Sequence, residues 1–520
     1  MRKPVILPLI RGAVLLLAAL ATSTARAQGK KLDQLMYTIS VPDPASKTIS
    51  VKMVVPIDIQ DSVILMMPIW GPGMYRLQNY GNGVAEFTAT GADGAPLGVT
   101  KPRGSRWVIQ TGKQPTITVE YTVRATRGSN LSNGVTDSSL VVIGPATYLS
   151  LVEPGRRPSS VQLDLPTSWK SAVTSLDAAP DGKPNHFVAP DYDILADSPI
   201  IAGVHLSSAE FTVGGNKHYW VYLGDSKWGA ENAAKAMTPL MEEHLRFWGK
   251  LPFKKYVFLN IITGAGGGSG IEHLNSVAIT GGGSEPATQQ ARFRNAAFIS
   301  HEYFHAMNVK RLRPVELGPF DYENTPATMG LWVGEGLTSY FGDLLAERSG
   351  IGTPQDWLAT TSGHITSLQT SPGRLMQTVE QASAQMFENL PRNQTVDYYV
   401  KGPVVGLILE AHIRKMTNDK KSMDDVVHLE YKRWSGEHGY TEEQFAQTAA
   451  DAVGFDIKPL MHKLVATTEE VDYTEMLDWF GLRFIPNADP TKAWTLEERP
   501  DATPAQKAHF ASFMAHSKGP

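Results

Sequence analysis

The sequence predicts an α+β chain of more than one domain, in which a β-rich front part precedes a small sheet and a mostly helical remainder. Three observations predict it. The chain has 520 residues, 42% hydrophobic and 19% charged, which is long for one domain and apolar enough to bury real cores. From Leu32 to about Asp197, short runs of β-branched and aromatic residues alternate with turn formers. After Asp225, apolar residues begin to recur at helical spacing.

The first 27 residues stand apart. Arg2 and Lys3 are followed by an apolar run from Gly12 to Ala21 and then by Ala25-Arg26-Ala27, a small-residue cleavage pattern. A secretory leader cut before Gln28 is expected, and a periplasmic or secreted product. The run falls short of the roughly twenty apolar residues of a membrane span, so no anchor is expected after cleavage. Without the leader, 44 basic residues face 52 acidic ones, a net charge of −8, which is a poor footprint for nucleic acid. There is no cysteine, so any metal must be held by His and carboxylate. Oligomeric state has no signature in the sequence.

Residues 28–197 contain the runs Thr48–Val55, Val63–Met67, Trp107–Ile109 and Thr116–Val123, punctuated by turns such as Gly91-Ala92-Asp93-Gly94. A β-sandwich is the simplest architecture. A further β stretch is expected over Glu210–Gly224. Ala230 to Trp248 then places Ala233, Met237, Leu240, Met241, Leu245 and Trp248 on one helical stripe. Strands at Tyr256–Ile262 and Val277–Thr280 flank a glycine-rich connection, and helices are expected from about Gln290 to about Trp479. Beyond Gly481 the pattern offers only a helix over Pro504–Ala515.

The sharpest local signal is His301-Glu302-Tyr303-Phe304-His305, inside a stretch from Arg292 to Asn308 free of Gly and Pro. On a helix, residues four apart lie one above the other, so both imidazoles can reach one Zn²⁺ at about 2.0–2.1 Å. Glu302 sits beside them, placed to take a proton from the attacking water. The bland alternative is a pair of core histidines. Two imidazoles leave a catalytic zinc one protein ligand short, and Glu335, within Trp332-Val333-Gly334-Glu335-Gly336, is the candidate third. Its helix is expected to start at Thr325-Pro326 and stop at Gly350. Gly330, Gly334 and Gly336 each cost about 1 kcal/mol relative to Ala inside a helix, which points to close approach by a neighbouring element. Alone, Glu335 would read as a solvated carboxylate; beside the paired histidines it reads as a ligand. Further upstream, the Gly264–Gly270 run leads into Ile271-Glu272-His273. Glycines let a substrate approach the backbone, and a strand there could pair with an extended peptide. A plain flexible loop is the alternative; a phosphate loop is disfavoured because no Gly-Lys-Ser/Thr ending follows.

The stretch from His301 through Ala306-Met307-Asn308-Val309-Lys310-Arg311-Leu312-Arg313-Pro314 resembles the active-site helix of the M61 family, the glycyl aminopeptidases. So do Pro319-Phe320-Asp321-Tyr322-Glu323 and Leu331-Trp332-Val333-Gly334-Glu335-Gly336. The front part resembles that family at Pro68-Ile69-Trp70-Gly71-Pro72-Gly73-Met74-Tyr75 and at Asp191-Tyr192-Asp193-Ile194-Leu195. The resemblance implies a gluzincin metallopeptidase related to the M1 aminopeptidases, with a thermolysin-like catalytic domain over 198–480 and one Zn²⁺ on His301, His305 and Glu335. It implies that Glu272, with Gly270 and Ile271 beside it, grips the free α-amine of a peptide substrate. It also implies a tyrosine that donates to the oxyanion. Tyr399 is preferred for its offset from Lys401-Gly402, with Tyr398 next door leaving the register open. An N-terminal Gly or Ala preference follows from the family alone. Two departures stand out. Met307 replaces a common Trp, and Gly481–Pro520 is too short for the PDZ domain of about ninety residues that relatives often carry. Two rivals remain: a zinc endopeptidase, which shares every ligand, and a non-catalytic peptide-binding envelope protein, which leaves Glu302 idle. His273 and Asp343 are candidates for orienting the ligands.

Overall fold

The computed structural model describes residues 33–153, 156–169, 172–264, 268–489 and 492–520. The expected leader at 1–27 lies outside them, as do residues 265–267 of the glycine-rich run. Among the described residues, no helix is long and apolar enough to cross a membrane.

The front part is built from strands. Leu35–Ser40 pairs in parallel with Ser159–Asp164 and antiparallel with Thr48–Pro56, which pairs with Thr116–Arg124 in a seven-stranded sheet. Strict alternation along Thr48–Pro56 buries Ile49, Val51, Met53 and Val55. They share a core with Val63, Leu65, Trp107 and Ile109 of a four-stranded sheet, so two sheets pack face to face. A third sheet of five strands is added, in which Ser139–Val142 pairs with Ile200–Gly203. By strand pairing, the front part therefore continues past the expected boundary at Asp197 as far as Gly203. Val141 and Ile201 from this sheet, with Ile143 just after it, pack against Val221, Val257 and Leu259 of the next, and the two parts share apolar core.

That next sheet comprises β1 (Leu206–Val213), β2 (Asn216–Leu223), β3 (Lys255–Ile262), β4 (Ser269–His273) and β5 (Ser276–Gly281). Its order is β1-β2-β3-β5-β4, with β2, β3 and β5 mutually parallel and both edges antiparallel. The single β stretch expected at 210–224 is a hairpin, because Gly214 and Gly215 both take positive φ, 57° and 83°, as a two-residue turn requires. β3 is buried on both faces: Tyr256 and Phe258 meet the helices, while Val257, Leu259 and Ile261 meet the front part.

Helix α1 (Ala230–Trp248) packs on β1 and β2, and α2 (Gln289–Phe304), α3 (Thr338–Arg348) and α4 (Tyr398–Thr417) build the helical body. The residues beyond Gly481 belong to that body. Leu482–Phe484 pairs with Leu496–Glu498, and the helix Pro504–Met514 sends Phe510 and Phe513 into the main core. The Ser517 N–H donates to Glu243 on α1 at 2.8 Å.

Candidate metal centre

Thr288 caps α2 by accepting from the Ala291 N–H, and the helix carries His301 and Glu302 in its last turn. It ends at Phe304 rather than continuing to Asn308, leaving His305 as the cap residue. No Gly or Pro stops it; tertiary bonds do. Arg311 donates to the carbonyl of Ala306 at 2.6 Å and to that of Leu274 at 2.8 Å. The Asn308 amide donates to the Val333 carbonyl and the Thr338 hydroxyl, both at 2.9 Å. Those two acceptors bracket Glu335, so the turn after His305 is tied to the segment bearing the candidate third ligand.

That segment, Trp332–Leu337, is a wide π turn running into α3. The helix start expected at Thr325-Pro326 does not form. The upstream carbonyls of Asp321 and Asn324 accept from the Trp70 indole, at 2.8 and 3.0 Å, across the junction with the front part. The glycine argument holds for Gly336. A Cβ there would stand 2.7 Å from the Gly402 Cα and 2.8 Å from the Tyr398 carbonyl oxygen. That backbone-to-backbone approach seats the first turn of α4, with Tyr398 and Tyr399, against Glu335.

His301, His305 and Glu335 converge, with one ligand atom from each within 4.8 Å of the others. The two Nε2 atoms are 2.9 Å apart, and Glu335 Oε2 lies 3.5 Å from that of His301 and 3.2 Å from that of His305. The Ser339 hydroxyl donates to the Glu335 carbonyl and so accepts from His301 Nδ1 at 3.2 Å. His305 Nδ1 donates to the Asn308 carbonyl at 2.8 Å. Both bonds fix the tautomer that leaves an Nε2 lone pair aimed at the common point. Neither His273 nor Asp343 bonds a ligand histidine. His273 donates to Asp197, and Asp343 accepts from His364.

The electrostatics fit a cation. Glu335, Glu302 and Glu272 are all at least 95% buried, and each leaves a buried carboxylate oxygen without a hydrogen-bond partner. Burial, reinforced by Glu272 and Glu335, pushes Glu302 up to about 8. Burial alone would lower His305, but Glu335 and Glu272 outweigh it and raise the imidazole to about 9. Once a metal displaces the His305 proton, two imidazoles and a carboxylate form a borderline donor set suited to zinc.

Glu272 lies on β4, the edge of its sheet. Gly270 is where β4 meets the base: a Cβ there would fall within 2.7 Å of Glu302 Oε2. Ile271 and Gly270 are half-buried beside it, while the Gly264–Gly270 run is described only in part. The Tyr399 ring sits 6.0 Å from that of His301 and is 39% exposed, whereas Tyr398 packs against Tyr75, Val309 and Leu331. Sequence reasoning missed Ser339, Asn308 and Tyr75. Ser339 lies one turn after Glu335 and Asn308 three residues after His305, which is a usable signal; Tyr75 closes the Pro68–Tyr75 stretch, but nothing in its spacing ties it to the ligands. The motifs that carried the resemblance meet at one junction. The Ile69 N–H donates to the Tyr322 carbonyl at 2.9 Å, and the Tyr322 hydroxyl donates to Asp193 at 2.8 Å.

Two family models match the chain: the Peptidase M61 N-terminal domain over residues 36–204 and the M61 glycyl aminopeptidase over residues 294–405. The second spans His301, Glu302, His305, Glu335 and Tyr399; Glu272 lies between the two. No curated protein matches the chain. Among solved structures, an aminopeptidase N family protein from Idiomarina loihiensis aligns with a TM-score of 0.81 at 24% identity, over 86% of this chain and 78% of that one. An M1 zinc metallopeptidase from Deinococcus radiodurans aligns at 0.55 and 12% identity, over 85% and 95%. A mutant of the Deinococcus enzyme bound to a Tyr-Ser-Ala substrate aligns at 0.53 and 13%, over the same shares. At such identities the structures speak for the fold, an M1-like arrangement of β-rich front and helical body. The family models go further: the chain belongs to the M61 glycyl aminopeptidase family and is a zinc metallopeptidase.

Proposed function

We propose that the enzyme removes single small residues, Gly or Ala, from the free amino terminus of peptides. One observation carries the amino-terminal part: Glu272 is a buried carboxylate on an edge strand, with an unpartnered oxygen, beside Glu302 and the His-His-Glu cluster. A buried carboxylate demands a cation, and an N-terminal ammonium at the end of a strand added to β4 supplies one. The small-residue preference rests on the family description, and the Tyr-Ser-Ala substrate on the Deinococcus neighbour supports a peptide substrate.

His301, His305 and Glu335 would hold a single zinc ion. When bound, it polarises the scissile carbonyl and lowers the pKa of the attacking water toward about 7. Glu302 takes the proton from that water and later delivers it to the leaving amine. Tyr399 donates its hydroxyl to the carbonyl oxygen as charge gathers there, the proximity of its ring to His301 favouring it over Tyr398. Glu272 fixes the substrate's amino end. The leader-like residues 1–27 and the lack of cysteine support an exported, periplasmic or secreted enzyme.

Purified mature protein should begin at Gln28, contain one zinc per chain and cleave Ala- and Gly-anilides but not their N-acetylated forms. Chelation should abolish turnover and zinc should restore it. Glu302→Gln should keep the metal and lose about 10²–10⁴-fold in kcat, while Glu272→Gln should act mainly on KM. Comparable cleavage of blocked peptides would make the protein an endopeptidase and sink this reading.

A further inference from the structure

The β-rich half does not stop at the domain junction; one of its turns enters the site. Gly73 takes φ +85°, and a Cβ on it would lie 2.7 and 2.9 Å from the two carboxylate oxygens of Glu272. Its backbone is therefore laid against the amine anchor, with no room for a side chain. Two residues on, Tyr75 is 8% exposed and packs with Val309, Leu317 and Leu331 and against Tyr398. Val309 follows His305 by four residues, Leu331 precedes Glu335 by four, and Tyr398 adjoins Tyr399. The Tyr75 ring thus sits where the three segments bearing the site converge. Burial, then the charges of Glu335 and next Glu272, holds its phenol well above its ordinary pKa, so the neutral ring lies in the field of both the third ligand and the anchor.

The turn is braced. The Met74 N–H donates to the Gly71 carbonyl at 3.0 Å, Ile69 is bonded to Tyr322, and Trp70 is 1% exposed with its indole bonded to Asp321 and Asn324. A rigid wall can reject by size, whereas a yielding one cannot.

An aminopeptidase sets one residue, about 3.5 Å of chain, between the amine it holds and the carbonyl it cleaves. Gly73 lies against the anchor at one end of that interval, and Tyr75, two residues on, packs with the segments that carry the ligands at the other. We propose that the Gly71–Tyr75 turn, supplied by the β-rich half, is the end wall of the cleft, and that the Tyr75 ring sizes the space for the departing N-terminal side chain. This inference rests on the aminopeptidase reading and adds the residue that sets its small-side-chain selectivity.

The test is the ratio of kcat/KM for Leu-anilide to that for Ala-anilide, with zinc content and thermal melting measured alongside. Tyr75→Ala should raise the ratio at least tenfold at unchanged zinc content. Tyr75→Phe should keep the wild-type ratio, since the ring and not the hydroxyl forms the wall. Tyr75→Leu keeps the apolar contacts with Val309, Leu317 and Leu331 and should relax the ratio by a smaller factor; it decides the matter if the alanine variant does not fold. An active Tyr75→Leu or Tyr75→Ala enzyme with a ratio within twofold of wild type overturns this inference alone. A zinc-loaded wild type that cleaves neither free-amine anilide overturns the aminopeptidase reading and this inference with it.

Discussion

Glu430 shows how much of the chain's ionisation is set by burial at a single residue. Its side chain is fully buried, and burial pushes its carboxyl up to about 9, with the Arg433 charge and the Thr448 hydroxyl offsetting only part of that. The sign follows from linkage. The unfolded chain sheds this proton near 4.5, while the folded chain keeps it until about 9, so the residue destabilises the fold increasingly as pH rises between those values. Glu430→Gln supplies a neutral isostere. It should melt at the same temperature as wild type near pH 4 and progressively higher up to pH 9. Melting curves across that range check it; an offset independent of pH would mean that the residue acts through packing alone. Glu430 could not be singled out from sequence, because nothing local marks a carboxylate as buried. His301, Glu302 and His305 could, because their relation is a four-residue spacing on one helix. Tyr75, 197 residues before Glu272, could not, because only the tertiary fold brings a turn of the β-rich half against β4.

At the scale of elements, the turn after His305 and the π turn carrying Glu335 are joined through Asn308. Its amide spans to Val333 and Thr338, and its carbonyl holds His305 Nδ1. Asn308→Ala should leave the Val333 carbonyl unsatisfied in a buried place, costing about 1–3 kcal/mol. It should also loosen the His305 tautomer lock, weakening zinc about 10–100-fold as lost outer partners of metal ligands do. Competition with a chelator of known affinity measures this, and zinc affinity within twofold of wild type in a folded variant would show that the carbonyl alone suffices. The elements themselves were legible where periodicity was strong, as in α1, and where apolar runs were bounded by glycine, as in β3. The start of the Glu335 segment was misjudged because the chain before it is held by bonds from a distant residue, the Trp70 indole. Propensity carries no record of such partners.

For the whole molecule, the relation between the β-rich half and the catalytic half turns on Asp197. It caps the short helix Tyr192–Ala196 at the end of the front part. Its carboxylate accepts from His273 Nδ1 at 3.1 Å, from the Leu274 N–H at 2.7 Å and from Lys310 Nζ at 2.7 Å. It thereby grips the end of β4, one residue beyond Glu272, and the turn after His305 with one side chain. Burial would raise its pKa, but Lys310 and His273 win and hold it below the ordinary range. Its contribution is therefore present at neutral pH and is lost only as pH falls through that depressed value. Asp197→Asn keeps an acceptor for Leu274 but strands the buried Lys310 ammonium, and breaking a buried pair from one side costs about 3–5 kcal/mol. Because Glu272 is the group displaced, KM for free-amine anilides should rise severalfold while kcat, set at Glu302 and the ligand cluster, changes little and zinc content stays at one. Urea unfolding at pH 7 beside steady-state kinetics separates the two effects. A variant that loses stability with KM unmoved would leave Asp197 as a structural clamp with no hold on the amine anchor.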